Sequence, residues 1–203
     1  MLETPHDPFD PLDYENIAKS VVDALLDRPI EALGQMMAFN GAGIYAIYYA
    51  GPFAPYNRIV SRAGEIPIYV GKAVPPGARK GTDELHVERS QVLCRRLAEH
   101  AKSISEAQNL TLTDFTCRHL VVQPVWIPLA EQVLVQRFRP VWNTVVDGFG
   151  NHPPGRGRGA MRRPRWDIIH PGRRWASELR AEESEDDILD DVRRHLDAWA
   201  GAG

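Results

Sequence analysis

The stretch GAGIYAIYYAG, residues 41–51, and the shorter IPIYVGKA, residues 66–73, decide how this chain reads. Each is a run of Ile, Tyr, Val and Ala with glycine at or near its ends. That is the composition of a pleated, buried surface, so both are predicted strands. In the first a tyrosine follows Gly-Ile, and in the second a tyrosine precedes Val-Gly. A pair of core strands does not need phenol set against glycine in this way. The question is whether Tyr45 and Tyr69 do chemistry or only pack.

Working outward, the connection GPFAPYNRIVSRAGE is too long and proline-rich for a tight hairpin and reads as surface loop. Upstream, Ile17, Val21 and Leu25 recur at helical spacing, predicting an amphipathic helix over residues 14–27 that the Arg28-Pro29 step ends. Downstream, Val92, Leu93, Leu97, Ala101 and Ile104 predict a second helix. FTCRHLVVQPVW reads as a third strand closed by Pro124. A further helix is predicted from Pro128, a good first-turn residue, to a stop before Pro140. The order strand, strand, helix, strand, helix predicts an α/β (α+β) chain: a small core with a mainly antiparallel sheet flanked by helices. The expected organisation is an N-terminal helical arm (1–40), a core (41–147) with an inserted loop (74–91), and a basic segment with a C-terminal helix (148–203), all in one folded unit. In that last helix Ile188, Val192, Leu196 and Trp199 share a face, and the preceding EESEDD reads as a solvated helix start.

At 203 residues and 43% hydrophobic, the chain can bury one substantial core. No apolar run reaches membrane-spanning length, and MLETPHDPFDP is acidic and proline-broken, unlike a secretory leader. Cys94 and Cys117 lack metal-ligand spacing and fit a reducing compartment, with the cytoplasm as the default. The net charge of −3 conceals a segregation. Residues 41–176 hold nineteen Lys or Arg against ten Asp or Glu, while residues 1–40 and 177–203 are both acidic. A basic body between acidic ends points to a polyanionic partner.

Within the predicted Pro128–Phe138 helix, Glu131 lies three, four and seven positions before Leu134, Val135 and Phe138, so a carboxylate points along the apolar stripe. A buried, unpaired charge costs several kcal/mol and needs a counter-charge or a metal, unless the side chain escapes to water from the first turn. Arg96 and His100 are one helical turn apart on the same face. Arginine suits a phosphate through its fixed fork of donors, and histidine moves protons near neutral pH. With the two strand tyrosines, these residues make a set able to hydrolyse a phosphodiester.

Gly43-Ile44-Tyr45 and Tyr69-Val70-Gly71, followed by Arg96, Glu131 and Asn143, resemble the GIY-YIG nuclease superfamily over residues 41 to 147. The arginine follows the second tyrosine closely in many members, whereas here VPPGARKGTDELHVERSQ intervenes. That insertion, the Arg-xxx-His pair, the later asparagine and the basic C-terminal stretch are most similar to the small Type II restriction endonucleases of the superfamily. The resemblance implies a compact domain, a double-stranded DNA substrate, Mg²⁺ with Mn²⁺ as substitute, a homodimer and a cognate DNA methyltransferase in the same system.

It also implies roles. Tyr45 is the expected base that activates water and Tyr69 the second, positioning phenol, although Tyr49 on the same strand competes with Tyr45 and either motif tyrosine can be the base. A tyrosine with a reference pKa of about 10 needs a neighbour to take its proton, and His100 is the candidate. Lys72 lowers a phenol's pKa or holds phosphate, Arg96 clamps the scissile phosphate, Glu131 is the metal ligand, and Asn143 orients that carboxylate or the phosphate. For DNA contact the arginine-dense places are the loop with Arg79, Lys80 and Arg89 and the segment with Arg156, Arg158, Arg162, Arg163, Arg165, Arg173 and Arg174. Because arginine pairs bidentately with guanine, a GC-rich palindrome is expected. A nicking nuclease of repair or intron mobility, and a DNA-binding protein that does not cut, are the competing readings.

Overall fold

A computed structural model describes residues 14–75, 90–153 and 162–200. Four strands form one antiparallel sheet in the order β1-β4-β2-β3, with β1 Glu31–Ala32, β2 Gly43–Tyr49, β3 Pro67–Ala73 and β4 Phe115–Val121. The two tyrosine strands are neighbours, Tyr45 opposite Gly71 and Ile47 opposite Tyr69, with a bulge after Ile47. The predicted third strand, β4, pairs with the other side of β2.

Every residue of β2 is buried, which explains its near-continuous apolar character. The cause is a helical layer on each face. Ile44, Ala46 and Tyr48 pack with Val22 and Leu25 of α1 (Tyr14–Leu26) and with Ile127, Ala130 and Leu134 of α3 (Ile127–Phe138). Tyr45, Ile47 and Tyr49 face the other way, toward Leu93, Leu97 and Ile104 of α2 (Val92–Glu106). That second core also takes Trp142 of α4 (Val141–Thr144), Trp166 of α5 (Arg165–Ile169), and Ile188 and Val192 of α7 (Glu185–Ala200). A short α6, Arg174–Ser177, lies between the last two.

The basic segment read as DNA-contacting also supplies core: its described residues 162–177 carry two short helices packed into the body. Trp166 and Ile169 are fully buried in the same core as Tyr45. The arm helix α1 packs on this chain's own sheet and on α3, and Arg137 of α3 pairs with Asp23. In α7 the acidic start is a helix cap: Ser184 Oγ accepts from the Asp187 amide at 3.1 Å and donates to the Asp187 carboxylate at 2.7 Å. No helix among the described residues is long and apolar enough to cross a membrane.

Candidate active site

The alternation of a strand puts Tyr45, Ile47 and Tyr49 on one face of β2, and the register brings Tyr69 to that face from β3. Tyr45 and Tyr69 have ring centroids 6.2 Å apart. Gly71, directly across from Tyr45, is the floor under its ring. A Cβ there would lie 2.7 Å from Tyr45 Cζ and closer still to the hydroxyl. Glycine sits in the second motif because the phenol of the first lies over it.

From α2, His100 meets Tyr45, with 2.6 Å between the phenol oxygen and Nε2. Both side chains are buried, His100 at 1% and Tyr45 at 0% exposure. Burial drives the His100 pKa well below the ordinary range, helped by the nearby Arg96 charge, so the imidazole is neutral, and with its proton on Nδ1 its Nε2 can accept from the phenol. Burial also raises the Tyr45 pKa well above 10, and Tyr69 adds to the rise while Arg96 opposes it. Tyr49 takes no part: its hydroxyl accepts from the Phe53 amide at 2.9 Å, and its ring packs on Tyr56 and Phe115.

One turn before His100, Arg96 donates from Nη2 to the Gly150 carbonyl at 2.9 Å. Its Nη1 donates to Glu99 at 3.1 Å and to His152 Nε2 at 3.0 Å. A cleft lined by Tyr69, Arg96, Asn143 and Gly150 opens over this group, with Tyr45 buried behind it.

Glu131 comes from the opposite layer, on α3. The counter-charge its apolar stripe demands is Lys72, whose Nζ is 2.5 Å from the carboxylate. Burial raises the Tyr69 pKa, Arg96 lowers it and the Glu131 charge raises it, so Glu131 is near enough for its field to reach the phenol around edge strand β3. Asn143 is placed otherwise than expected. Its side chain accepts from the Val70 amide at 2.9 Å and donates to the Val70 carbonyl at 2.8 Å. Both polar ends bond the backbone of β3 at Val70, so Asn143 fixes the strand that carries Tyr69, Gly71 and Lys72, and neither of these bonds goes to Glu131.

Among the described residues no group of three or more His, Cys, Asp or Glu could hold a metal ion. A lone carboxylate, one quarter exposed, fits Mg²⁺, which commonly binds through one or two carboxylates, waters and substrate phosphate.

The expected DNA-contacting residues divide. Arg79, Lys80, Arg89, Arg156 and Arg158 lie outside the described residues. Arg162 and Arg174 are exposed, Arg162 in a surface pair with Glu182. Arg163 is turned inward, donating to the carbonyls of Ala176 and Ser177. Arg165 is held by Glu183, Asp191 and the Val145 carbonyl. Arg173 is 2% exposed and bound to Asp167, so it is a core ion pair and not a surface contact. Charge counting missed this, because Glu182, Glu183 and Asp191 of the acidic tail neutralise arginines of the basic segment within the chain. Sequence reading also missed Phe149, whose ring stacks on His100 at 4.5 Å and meets Tyr69 edge-on at 5.0 Å. Its only signal is the Gly-Phe-Gly setting, an isolated aromatic between glycines.

No curated protein matches the chain. The family model described as the Eco29kI GIY-YIG domain, a family of Type II restriction endonucleases, matches residues 37–196. That span takes in both tyrosine strands, the Arg96–His100 helix, Glu131, Asn143 and most of α7. With two phenols, a neutral histidine and an arginine fork gathered on one face of the sheet and a lone carboxylate across edge strand β3, the chain belongs to the Eco29kI family of GIY-YIG nucleases.

Proposed function

We propose that this nuclease is a site-specific, Mg²⁺-dependent Type II restriction endonuclease that cuts both strands of a GC-rich palindrome as a homodimer, with a cognate DNA methyltransferase as its counterpart. The observation that carries the catalytic part is the 2.6 Å contact between Tyr45 and a neutral His100. A buried phenol cannot rest as phenolate. It can take the proton of an attacking water while passing its own to Nε2, so that no free phenolate forms and charge ends on the imidazole. Tyr69, at the cleft mouth, orients that water.

Arg96 grips the phosphate as charge grows on its oxygens. To do so it exchanges its present acceptors, the Gly150 carbonyl, Glu99 and His152, for phosphate oxygens. Loss of the Gly150 contact opens the way from the cleft to Tyr45. Glu131 and Lys72 hold the other side of β3. Glu131 would hold Mg²⁺ (or Mn²⁺), which would supply positive charge for the scissile phosphate and the departing oxygen.

The dimer follows from one site per chain: two strands of opposite polarity are served equally when protein and duplex share a two-fold axis. Arg162, Arg174 and the basic residues at 79, 80, 89, 156 and 158 are the cations offered to DNA. The test is to digest a genome-sized DNA with Mg²⁺ and map every fragment end. One palindrome at all ends supports the reading. Scattered ends, or ends on one strand only, contradict it.

A further inference from the structure

Arg173 is the most heavily committed side chain of the second core. Nε and Nη2 bind the two Asp167 oxygens at 2.6 and 2.5 Å. Nη1 donates to the carbonyls of Phe149 at 3.0 Å and Asn151 at 3.2 Å, and Nη2 also to Gly148 at 2.9 Å. These five contacts match the five N–H donors of a guanidinium. The rings of Trp166 and Trp175 lie against it, with centroids 4.5 and 4.9 Å from its central carbon.

What it binds is the turn that roofs the catalytic groups. Between the three anchored carbonyls, Phe149 lies flat on the His100 imidazole, 4.5 Å away at 17°, and Gly150 presents its carbonyl to Arg96. The approach is close enough that a Cβ at Gly150 would fall 2.6 Å from Arg96 Nη2 and 3.2 Å from the Tyr69 hydroxyl.

We infer that Arg173, through its ion pair with Asp167, is a positioning residue of the active site: it fixes the Gly148–Asn151 turn so that Phe149 holds His100 against Tyr45. This rests on the assignment of Tyr45 and His100 to proton transfer. A chain of fixed contacts runs from Asp167 and Arg173 through the turn to the imidazole, and only the Gly150 peptide has to rotate when phosphate replaces it on Arg96. Lysine in place of Arg173 keeps the charge but brings three donors on one nitrogen, and so releases the turn.

Three measurements on full-length Arg173→Lys and Phe149→Leu test this: single-turnover cleavage at saturating duplex with Mg²⁺, duplex affinity without metal, and the His100 titration by NMR, assigned with His100→Gln. The charged and titratable groups that face His100 among the described residues are Tyr45, Tyr69, Arg96, His152 and Arg173. Phe149→Leu leaves them all in place. The expected result is a rate lowered about 100-fold in both variants, the scale of an ångström-sized misplacement, unchanged DNA affinity, and a His100 midpoint raised toward the ordinary range as water reaches the ring. Weaker DNA binding with a normal rate once bound would overturn the inference, since that is how a phosphate contact behaves. If Arg173→Lys does not fold, Phe149→Leu decides: a wild-type rate with an unmoved His100 titration refutes the positioning role. A wild-type protein that cuts no DNA sinks the nuclease reading instead, while the His100 titration still judges the roof.

Discussion

Gly71 lies directly across the sheet from Tyr45 and leaves the space in which the phenol rests. Gly71→Ala therefore displaces the hydroxyl proposed to pass the proton, without touching a charge. We expect a protein with a wild-type far-ultraviolet spectrum and cleavage slowed about 100-fold, the usual consequence of a small misplacement. Single-turnover kinetics on a fixed duplex check it, and a rate near wild type would show that the phenol over Gly71 is only packing.

The partner of His100 is Tyr45 and not Tyr49. Tyr45→Phe and His100→Ala are each expected to slow cleavage by about two orders of magnitude or more, the scale of acid-base groups. Tyr49→Phe is expected to leave the rate alone and to lower the melting temperature modestly through the lost Phe53 bond. Damage by Tyr49→Phe with Tyr45→Phe silent would reverse the assignment.

Asn143 closes the outer edge of β3 by bonding both polar groups of Val70. Asn143→Ala removes two bonds worth about 1 kcal/mol each. The expected loss is about 2 kcal/mol of stability, with a lower turnover and unchanged metal-free DNA affinity. Denaturant melts and anisotropy titrations separate the two effects. A selective loss of DNA affinity would mean that the amide touches phosphate.

Two buried histidines set the acid response. Burial lowers His170 to about 3, where Tyr56 and Asn109 hold its ring. A folded pKa below the unfolded 6.5 means that the unfolded chain binds the extra proton. Stability is thus fully present above pH 6.5 and falls as the pH drops from 6.5 toward 3, by up to about 1.4 kcal/mol per pH unit. His170→Gln should flatten that acid slope in pH-dependent melts, and an unchanged slope would show that His170 protonates without cost. His100 follows the same sign, and because its neutral form accepts the proton, cleavage should persist below pH 6.5 and fade only well into acid. A rate that halves near pH 6.5 would mean a hydrated, ordinary histidine.

Much of this was legible before any coordinates. Apolar runs bounded by Gly or Pro located β2, β3 and β4, and helical spacing located α1, α2, α3 and α7, whereas the two-residue β1 and the short α4, α5 and α6 carry too few residues for a pattern. Arg96 and His100 share a helix face by spacing alone, and an acid on the apolar stripe of α3 announced that Glu131 has a partner. The partner's identity was not legible, since Lys72 reaches Glu131 through the packing of α3 on β3. The same holds for Asn143 and Val70, 73 positions apart. The basic segment misled for a physical reason: an arginine bound for a carboxylate and one bound for a phosphate look alike in a charge count. Asp167 decided Arg173, and a lone acid beside Trp166 gives no warning of burial in a run otherwise rich in Arg, Gly and Pro.

Metal-dependent hydrolysis of both DNA strands at a Glu131 site is tested by plasmid cleavage. Supercoiled plasmid is incubated with the wild-type protein and with Glu131→Gln, with Mg²⁺ and with chelator, while duplex binding is followed in parallel. The expected result is discrete linear fragments from the wild type with Mg²⁺ alone, and undiminished binding but no cutting by Glu131→Gln, because a neutral amide is a poor Mg²⁺ ligand. Cleavage by Glu131→Gln near the wild-type rate, cleavage in chelator, nicked circles as the sole product, or binding without cutting by the wild type would contradict it.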